Sequence, residues 1–260
     1  MTAAYATLLY EVGDDRVATI TLNRPERMNA WNNRMCAEFA RLWAEIKLDA
    51  RVHAVVLRGA GERAFSTGVD VKEEFFQPAN VWNHSDGGED LGPKQNECWK
   101  PVVCAVHGLA AGGAFYWINE SDIVICSEDA QFFDPHTTFG LVPSNEPIGL
   151  ARMVHPREAL RIALMGNDER VGAQTALRIG LVSEVTTRAE LWSRAHEIAA
   201  LIAAKPSVAT QGAVRAVWES LDEGRQAALD HGILYNRIGN PIGEAQVDRW
   251  KLPKAKWRLR

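Results

Sequence analysis

Hydrophobic residues follow two different periods in the first fifty residues of the chain. In "VATITLNRPE" the apolar positions alternate, which predicts a strand that ends before Pro25. The upstream "LLYEVGDD" predicts a partner strand, with a hairpin turn at residues 13–15. After Asn32 the period becomes helical, and the pattern predicts an amphipathic helix whose apolar face holds Met35, Phe39, Leu42 and Ile46.

Short buried strands and glycine turns follow one another from residue 53 to residue 133. "HAVVLRGAG" and "KPVVCAVHG" predict buried strands, and "SDIVICSEDAQFF" predicts a strand followed by a turn. "AFSTGVDVKEEFF" and "LAAGGAFYWINE" each predict a turn that runs into a helix. Strands that alternate with helices in this way indicate an α/β fold with parallel crossover units. The polar, glycine-rich "QPANVWNHSDGGEDLGPKQ" predicts a mobile loop, the best candidate for a lid.

The pattern after Pro143 is mostly helical. Helical periodicity covers residues 158–165, 173–179, 191–204 and 208–220. We therefore predict a core domain of residues 1–187 that carries the functional site. A C-terminal helical region of residues 188–260 follows it, with the pattern of an appendage that packs on a neighbour.

Composition and charge narrow the class of protein. The chain is 47% hydrophobic and 24% charged, with a net charge of −4, which indicates a globular fold. This charge argues against nucleic acid as a partner, because phosphate binding needs a basic face. The sequence also lacks an apolar run long enough for a membrane and the pattern of a signal peptide. Its four cysteines have no CxxC spacing, so we predict a soluble cytoplasmic protein with buried, reduced thiols.

Two glycine turns carry the first candidate chemistry. "FSTGVD" and "AAGGAFYW" each follow a predicted strand and precede a predicted helix. Glycine allows a sharp bend and a close approach of the ligand, and the first turn of a helix presents unpaired N–H groups. Two such turns that face one another predict an oxyanion hole. The alternative is ordinary strand-to-helix turn chemistry without a ligand.

Other common catalytic motifs are missing from the sequence. It has no GxSxG nucleophile elbow, no P-loop, no HExxH and no cysteine cluster for zinc. The glycine turns also do not form GxGxxG after a first strand. We therefore predict neither a metal nor a dinucleotide cofactor.

Six segments together resemble one known family. "TLNRPERMNAW", "RAFSTGVDVKE", "KPVVCAVHGLAAGGAF", "SDIVICSEDAQF", "GLVP" and "ALRIGLVSEV" occur in order and look like the crotonase superfamily of enoyl-CoA hydratases and isomerases. The resemblance implies an α/β fold with a ββα-spiral core and a C-terminal helical trimerisation region, assembled as a homotrimer or hexamer. It also implies an acyl-CoA substrate, with coenzyme A as part of the substrate and no separate cofactor.

The resemblance assigns binding roles to several positions. It places the oxyanion donors on the N–H groups of Val69 and Gly113. It places coenzyme A contacts in "RPERMNAW" and around the first glycine turn, with Trp31 lining the acyl pocket or packing beneath it. The candidate coenzyme A contacts are Arg24, Arg27, Ala64, Ser66 and Val71.

The chain departs from this family at its two catalytic glutamates. The resemblance places Tyr116 and His136 at those positions. His136 could take and give a proton near neutral pH, whereas the alternative is a turn histidine held by Asp134. Tyr116 could donate a hydrogen bond or simply fill the core. Glu146 is the best remaining carboxylate by location, although an acid is also favourable in the first turn of any helix.

Three functions stay open at this point. The first is an acyl-CoA enzyme in which His136 moves a proton during isomerisation or hydration. The second is a hydrolase of carbon–carbon or thioester bonds, since one crotonase relative that cleaves β-diketones has a segment similar to "DPHTTFGLVPSNE". That relative's aspartate falls on Asn145, and its second histidine falls on Cys36. The third is a binding protein for acyl-CoA without catalysis.

Overall fold

A computed structural model describes residues 5–73, 82, 86–252, 254, 257 and 259 of the chain. The chain divides into two compact units, residues 1–204 and residues 205–260. The first unit therefore ends later than the domain boundary expected after residue 187. The strands of the described residues are β1 (Leu8–Val12), β2 (Val17–Leu22), β3 (Ala54–Gly59), β4 (Ala64–Ser66), β5 (Val102–Val106), β6 (Leu109–Ala111), β7 (Ile123–Ser127), β8 (Gln131–Phe133), β9 (Val171–Gly172) and β10 (Glu184–Thr186).

Helices connect and cover these strands. The α-helices of the described residues are α1 (Asn33–Leu48), α2 (Phe115–Ile118), α3 (Asn145–Met153), α4 (Pro156–Met165), α5 (Ala173–Ile179), α6 (Leu191–Ala203), α7 (Ser207–Ser220) and α8 (Arg225–Ala245). Short 3-10 helices cover Pro25–Arg27, Gly87–Leu91, Gly112–Ala114, His136–Phe139 and Gly166–Asp168. None of the helices in the part of the chain that the structure describes is long and apolar enough to cross a membrane.

Two sheets organise the first unit. One has the strand order β1-β2-β3-β5-β7-β10, and the other has the order β4-β6-β8-β9. The β1/β2 hairpin and the β8/β9 pair are antiparallel, and the other pairs are parallel. Because β4, β6 and β8 are parallel neighbours, their carboxyl ends lie at one edge of their sheet. The residues that leave these three strands, 67–69, 112–113 and 134–136, are thereby brought together.

The core explains where the first unit ends. On one side of the larger sheet, α1 buries its apolar face, and its first turn is capped by the Asn32 side chain, which accepts a hydrogen bond from Met35 N at 3.0 Å. On the other side, α6 packs small residues such as Ala195 and Ala199 against Val56 and Val103 of β3 and β5. Since α6 shares this core, it belongs to the sheet unit and not to a separate helical region.

The structure departs from the predicted helices at three places. After "AFS", residues 67–73 form a turn, and the rest of that predicted helix, residues 74–76, lies outside the described residues. Helices α3 and α8 lie in the stretch predicted to be mostly helical, but their bounds were not predicted; both contain proline and glycine, which lower helix propensity. Most of the predicted lid before Asp86 also lies outside the described residues. The hairpin and α1 agree with prediction, and the four cysteines are buried and free.

Candidate active site

A cavity of about 630 Å³ opens in the first unit, where β4, β6 and β8 end. Eight of the eleven predicted site residues line it, whereas the remaining three, Arg24, Ala64 and Ser66, do not. The lining predicted residues are Arg27, Trp31, Val69, Val71, Gly113, Tyr116, His136 and Glu146. The cavity therefore gathers most of the predicted chemistry in one place.

The first glycine turn is fixed by a backbone bridge to Trp31. Trp31 N donates to Gly68 O at 2.8 Å, and Asp70 N donates to Trp31 O at 2.8 Å. In a parallel bridge of this kind, the residue between the two bonded groups turns its own N–H away from the partner strand. The Val69 N–H is consequently free of the Trp31 backbone, and Val69 lies in the cavity wall.

Gly68 leaves room for the second glycine turn. Its φ of +82° lies in the left-handed region, and a Cβ there would lie 2.8 Å from Gly113 N and 2.9 Å from Ala111 O. Neither the backbone angle nor the space admits a side chain. Gly113 is equally constrained, because a Cβ on it would lie 2.5 Å from Trp31 Nε1. The N–H groups of Val69 and Gly113 thus lie on two turns. These turns can come into contact only because Gly68 and Gly113 have no side chains.

His136 lies beside the second glycine turn. A Cβ on Gly112 would lie 3.5 Å from His136 Cε1 and 3.4 Å from Pro135 Cδ, so the ring lies within the reach of one added methyl group of this turn. The ring Nδ1 is hydrogen-bonded to Asp134 Oδ1, and Nε2 lies 3.9 Å from Glu146 Oε1. The side chain is 23% exposed, which leaves it open to the cavity. The hydrogen bond with Asp134 raises the pKa of His136 above its usual value, although burial opposes this.

Glu146 is the carboxylate nearest to the outer ring nitrogen. Glu146 lies in the first turn of α3, and it is buried. Burial raises the pKa of Glu146, with the nearby His136 opposing that rise. A carboxyl group with a raised pKa beside an imidazole is a pair that can exchange a proton.

Tyr116, which also lines the cavity, is hydrogen-bonded to two neighbours. Its hydroxyl donates to Asp86 Oδ2 at 2.6 Å and accepts from Asn145 Nδ2 at 3.1 Å. Burial and the hydrogen bond to Asp86 raise the pKa of Tyr116 far above its usual value. The ring also packs edge-on against Trp31, with 5.8 Å between centroids. The phenol proton is therefore committed to Asp86, which disfavours Tyr116 as an acid or base.

Arg24 is held by the protein itself. Its guanidinium is buried and donates to Ala30 O at 2.6 Å, to Asp70 Oδ2 at 2.9 Å and to Glu73 Oε1 at 2.6 Å. These bonds tie the loop after β2 to the loop after β4. The geometry disfavours the predicted coenzyme A contact for Arg24, and it gives Asp70 the structural role that a buried ion pair implies.

Ala64 and Ser66 support the site from beneath. Both are buried in β4. Ser66 Oγ donates to Asn29 O at 2.9 Å and accepts from Gly68 N at 3.2 Å, while Ala64 O accepts from Asn29 Nδ2 at 3.0 Å. Asn29 adopts a left-handed φ of 54°, so this buried amide holds the strained loop against β4.

Asp86 and Asp134 take a larger part in the site than the sequence indicated. Asp86 lines the cavity and joins Tyr116 to Asn145, whereas the sequence marked it only as part of a loop. Asp134 bonds the His136 ring, and its position two residues away left its direction open. Proline after an aspartate was the one signal in the sequence, since it favours a turn in which the carboxylate can bond back to the chain.

Asp134, His136 and Glu146 also form a group of three side chains whose ligand atoms lie within 4.8 Å of one another. Asp134 approaches Nδ1 and Glu146 approaches Nε2, so the two carboxylates face opposite nitrogens of one ring. This arrangement has the form of a proton-transfer chain, and we assign no metal to it.

Comparison with known proteins identifies the family of this chain. The chain matches the model of the family described as enoyl-CoA hydratase/isomerase over residues 13–237. It is 32% identical over 227 residues to (E)-benzylidenesuccinyl-CoA hydratase of Thauera aromatica, which covers 86% of each chain. It is also 32% identical over 184 residues to carnitinyl-CoA dehydratase of Escherichia coli K12, covering 70% of this chain and 69% of that protein.

Solved structures show the same architecture. An enoyl-CoA hydratase/isomerase from Mycobacterium paratuberculosis superposes with a TM-score of 0.83 at 36% identity, covering 90% of both chains. An enoyl-CoA hydratase from Mycobacterium smegmatis superposes with a TM-score of 0.80 at 26% identity, covering 94% of this chain and 92% of the other. The parallel sheets and covering helices are those of the crotonase fold. Because the family match spans most of its length, this chain belongs to the enoyl-CoA hydratase/isomerase family of enzymes, within the crotonase superfamily.

Proposed function

We propose that this enzyme stabilises the enolate of an acyl-CoA thioester between two backbone N–H groups while His136 moves a proton. One observation carries the proposal: the turns that hold Val69 and Gly113 meet in a space that only glycine permits, and His136 lies beside the second turn. Val69, Gly113 and His136 all line one cavity. No cofactor is needed beyond the coenzyme A of the substrate.

The oxyanion donors act when the substrate loses a proton. As a C–H bond next to the thioester breaks, its electron pair moves into the carbonyl and the thioester oxygen becomes negative. Donors aimed at such an oxygen from a rigid backbone are worth about 3 to 4 kcal/mol each in measured cases. Val69 N–H and Gly113 N–H are the groups that we assign to this oxygen.

Double-bond isomerisation needs only one proton carrier. Neutral His136 takes a proton from the α carbon of a 3-enoyl thioester at Nε2 and becomes an imidazolium. The imidazolium then returns that proton to the γ carbon, and the double bond moves into conjugation with the carbonyl. Because His136 returns the same proton that it removes, no second acid or base is needed. Isomerisation is therefore the simplest reaction for this site.

Hydration is the second candidate, and Glu146 favours it. Water addition needs a base for the water and an acid for the α carbon. His136 would take the proton of water, and Glu146, whose pKa is raised by burial, would in its protonated form donate a proton to carbon. The separation of 3.9 Å between His136 Nε2 and Glu146 Oε1 would allow the two groups to restore their protons after each turnover.

Coenzyme A binding rests on a different part of the cavity. Arg27 and Lys72 line the cavity and carry the positive charge that coenzyme A phosphates require. We assign Val71, which is 86% exposed, to the apolar part of the pantetheine arm.

We also propose that the protein assembles as a trimer or hexamer. In support, α8 leaves large apolar side chains 49% to 67% exposed, including Ile233, Leu234 and Ile238.

The proposal is tested with acyl-CoA esters in deuterated water. Wild-type protein is incubated with 2-enoyl-CoA and 3-enoyl-CoA, and products are followed by mass spectrometry. Isomerisation shifts the double bond with exchange of deuterium, and hydration adds one water. We expect His136→Ala to lower turnover by about 10³-fold, within the range for general acid–base groups. His196→Ala is the matched control, because His196 is an exposed surface residue paired with Asp15.

Other outcomes would select the other two hypotheses. Cleavage of a free β-diketone without coenzyme A, lost in His136→Ala, would indicate a carbon–carbon hydrolase. Tight acyl-CoA binding with neither exchange nor conversion would indicate a binding protein. Turnover that survives His136→Ala would remove His136 as the proton carrier.

A further inference from the structure

Asp134 has surroundings unlike those of the other carboxylates in the site. It is fully buried. Its Oδ1 accepts the backbone N–H of His136 at 3.2 Å and is also bonded to the ring Nδ1 of the same residue. Its Oδ2 is buried and has no hydrogen-bond partner among the residues that the structure describes. Within the described part of the chain, the hydrogen bonds of this buried carboxylate are therefore all made with His136.

The local chain fixes the direction of these contacts. Pro135 lies between the two residues, and its ring restricts φ, here −80°. His136 then begins the 3-10 helix His136–Phe139, so its backbone N–H is available for Asp134. The second glycine turn lies nearby, since a Cβ built on Gly112 would lie 3.5 Å from Cε1 of the ring. The imidazole thus has Nδ1 on the buried carboxylate of Asp134 and Nε2 toward Glu146.

We propose that Asp134 is a positioning residue that keeps a proton on Nδ1 of His136, so that Nε2 alone exchanges protons with the substrate. This inference rests on the proposed function, in which His136 carries the proton. A buried carboxylate oxygen accepts hydrogen bonds and cannot donate one while ionised, so the nitrogen facing it must bear the hydrogen. The neutral ring then presents the Nε2 lone pair to the cavity, and the charged ring presents an Nε2–H.

The other groups that face His136 act in the same direction. The charged or titratable neighbours that affect the ring are the carboxyl groups of Asp134, Glu146 and Asp86. Each of them, when ionised, stabilises the imidazolium over the neutral ring. Asp134 is the only one of the three that is hydrogen-bonded to the ring, so its removal should change both the tautomer and the basicity of His136.

The tautomer can be measured in the wild-type enzyme by nitrogen NMR of histidine-labelled protein. The chain has seven histidines, and the His136 signals are identified by their loss in His136→Ala. We expect the neutral form of His136 to carry its proton on Nδ1 and to titrate at Nε2. A neutral ring protonated on Nε2 would overturn the proposal, and this measurement does not depend on any variant of Asp134 folding.

Asp134→Asn supplies the second measurement, with Asp168→Asn as the control. Asp168 is an exposed carboxylate outside the site. We expect the His136 midpoint to fall in Asp134→Asn and kcat to drop about 10- to 100-fold, as for partners that orient a functional histidine. KM should change little. Asp168→Asn should leave midpoint, kcat and KM unchanged.

The two proposals fail in different ways. An unchanged His136 midpoint in folded Asp134→Asn would overturn the role of Asp134, whatever happens to kcat. The expected tautomer and midpoint shift, combined with full turnover in His136→Ala, would keep the positioning role and overturn the proposed function. Thermal unfolding of each variant shows whether a lost rate reflects lost structure.

Discussion

One wall of the cavity is built from backbone, and the other is built from side chains. The backbone wall consists of the turns at Gly68 and Gly113, which agree with the pattern that the family resemblance implies. The side-chain wall holds Tyr116 and His136, where that resemblance implies glutamates. The comparison suggests a division of work, in which the backbone binds a thioester oxygen and the side chains determine what happens to the proton.

The largest effect on the backbone wall is expected from Gly68→Ala. The new Cβ would lie 2.8 Å from Gly113 N and would need a φ of +82°, so the turn must shift. Loss of one donor should lower kcat by about 10²- to 10³-fold in the steady-state assay. Gly172→Ala is the control, because a Cβ there meets nothing within 4 Å. If Gly68→Ala were as active as Gly172→Ala, Gly68 would not be required for the oxyanion site.

Glu146→Gln should distinguish the two reactions of the side-chain wall. The amide keeps the shape of the side chain but cannot donate an acidic proton. Hydration should therefore fall about 10²-fold, while single-carrier isomerisation should fall much less. Product ratios from the same 2-enoyl and 3-enoyl substrates measure this. Equal losses in both reactions would mean that Glu146 serves the fold of α3 or the basicity of His136.

The pH dependence of kcat/KM should reflect the titratable groups of the side-chain wall and not the backbone N–H donors. Isomerisation needs neutral His136 in the free enzyme. Because its pKa is raised above 6.5, kcat/KM should decline about tenfold per pH unit below a midpoint that lies above pH 6.5. The hydrogen bond that His136 donates to Asp134 is the main cause of the raised pKa, so the midpoint should move to lower pH in Asp134→Asn. A profile that is flat from pH 5 to pH 8 would contradict a titrating histidine.

The smallest effect is expected from Tyr116→Phe. Its hydroxyl is bonded to Asp86 and Asn145, so its removal breaks a supporting network without removing a proton carrier. We expect kcat to change by less than about threefold, and the free energy of unfolding to fall by about 1 kcal/mol. Rate measurement and thermal unfolding check the two parts. A loss of kcat comparable to that in His136→Ala would mean that Tyr116 takes part in the reaction.

Local sequence signals predicted the two glycine turns of the backbone wall. The glycine turns and the helix that begins after Asn32 depend on residues close together in the chain, and their patterns carried enough information. The contact between Asp86 and Tyr116 joins residues thirty positions apart, and no periodicity encodes it. The burial of Arg24 depends likewise on Asp70 and Glu73, which come from another loop. Side-chain partners across loops were therefore the part that sequence reasoning could not supply.

The proximity of Asp134 and His136 has a consequence for engineering. The imidazole, its carboxylate and the intervening proline occupy three consecutive positions at the end of β8. In catalytic triads of the serine-protease type, the corresponding groups come from distant parts of the chain. A single segment exchange of residues 133–139 would therefore move the histidine together with its carboxylate partner into a related scaffold. The reaction of such a scaffold could then be altered without redesigning its coenzyme A site.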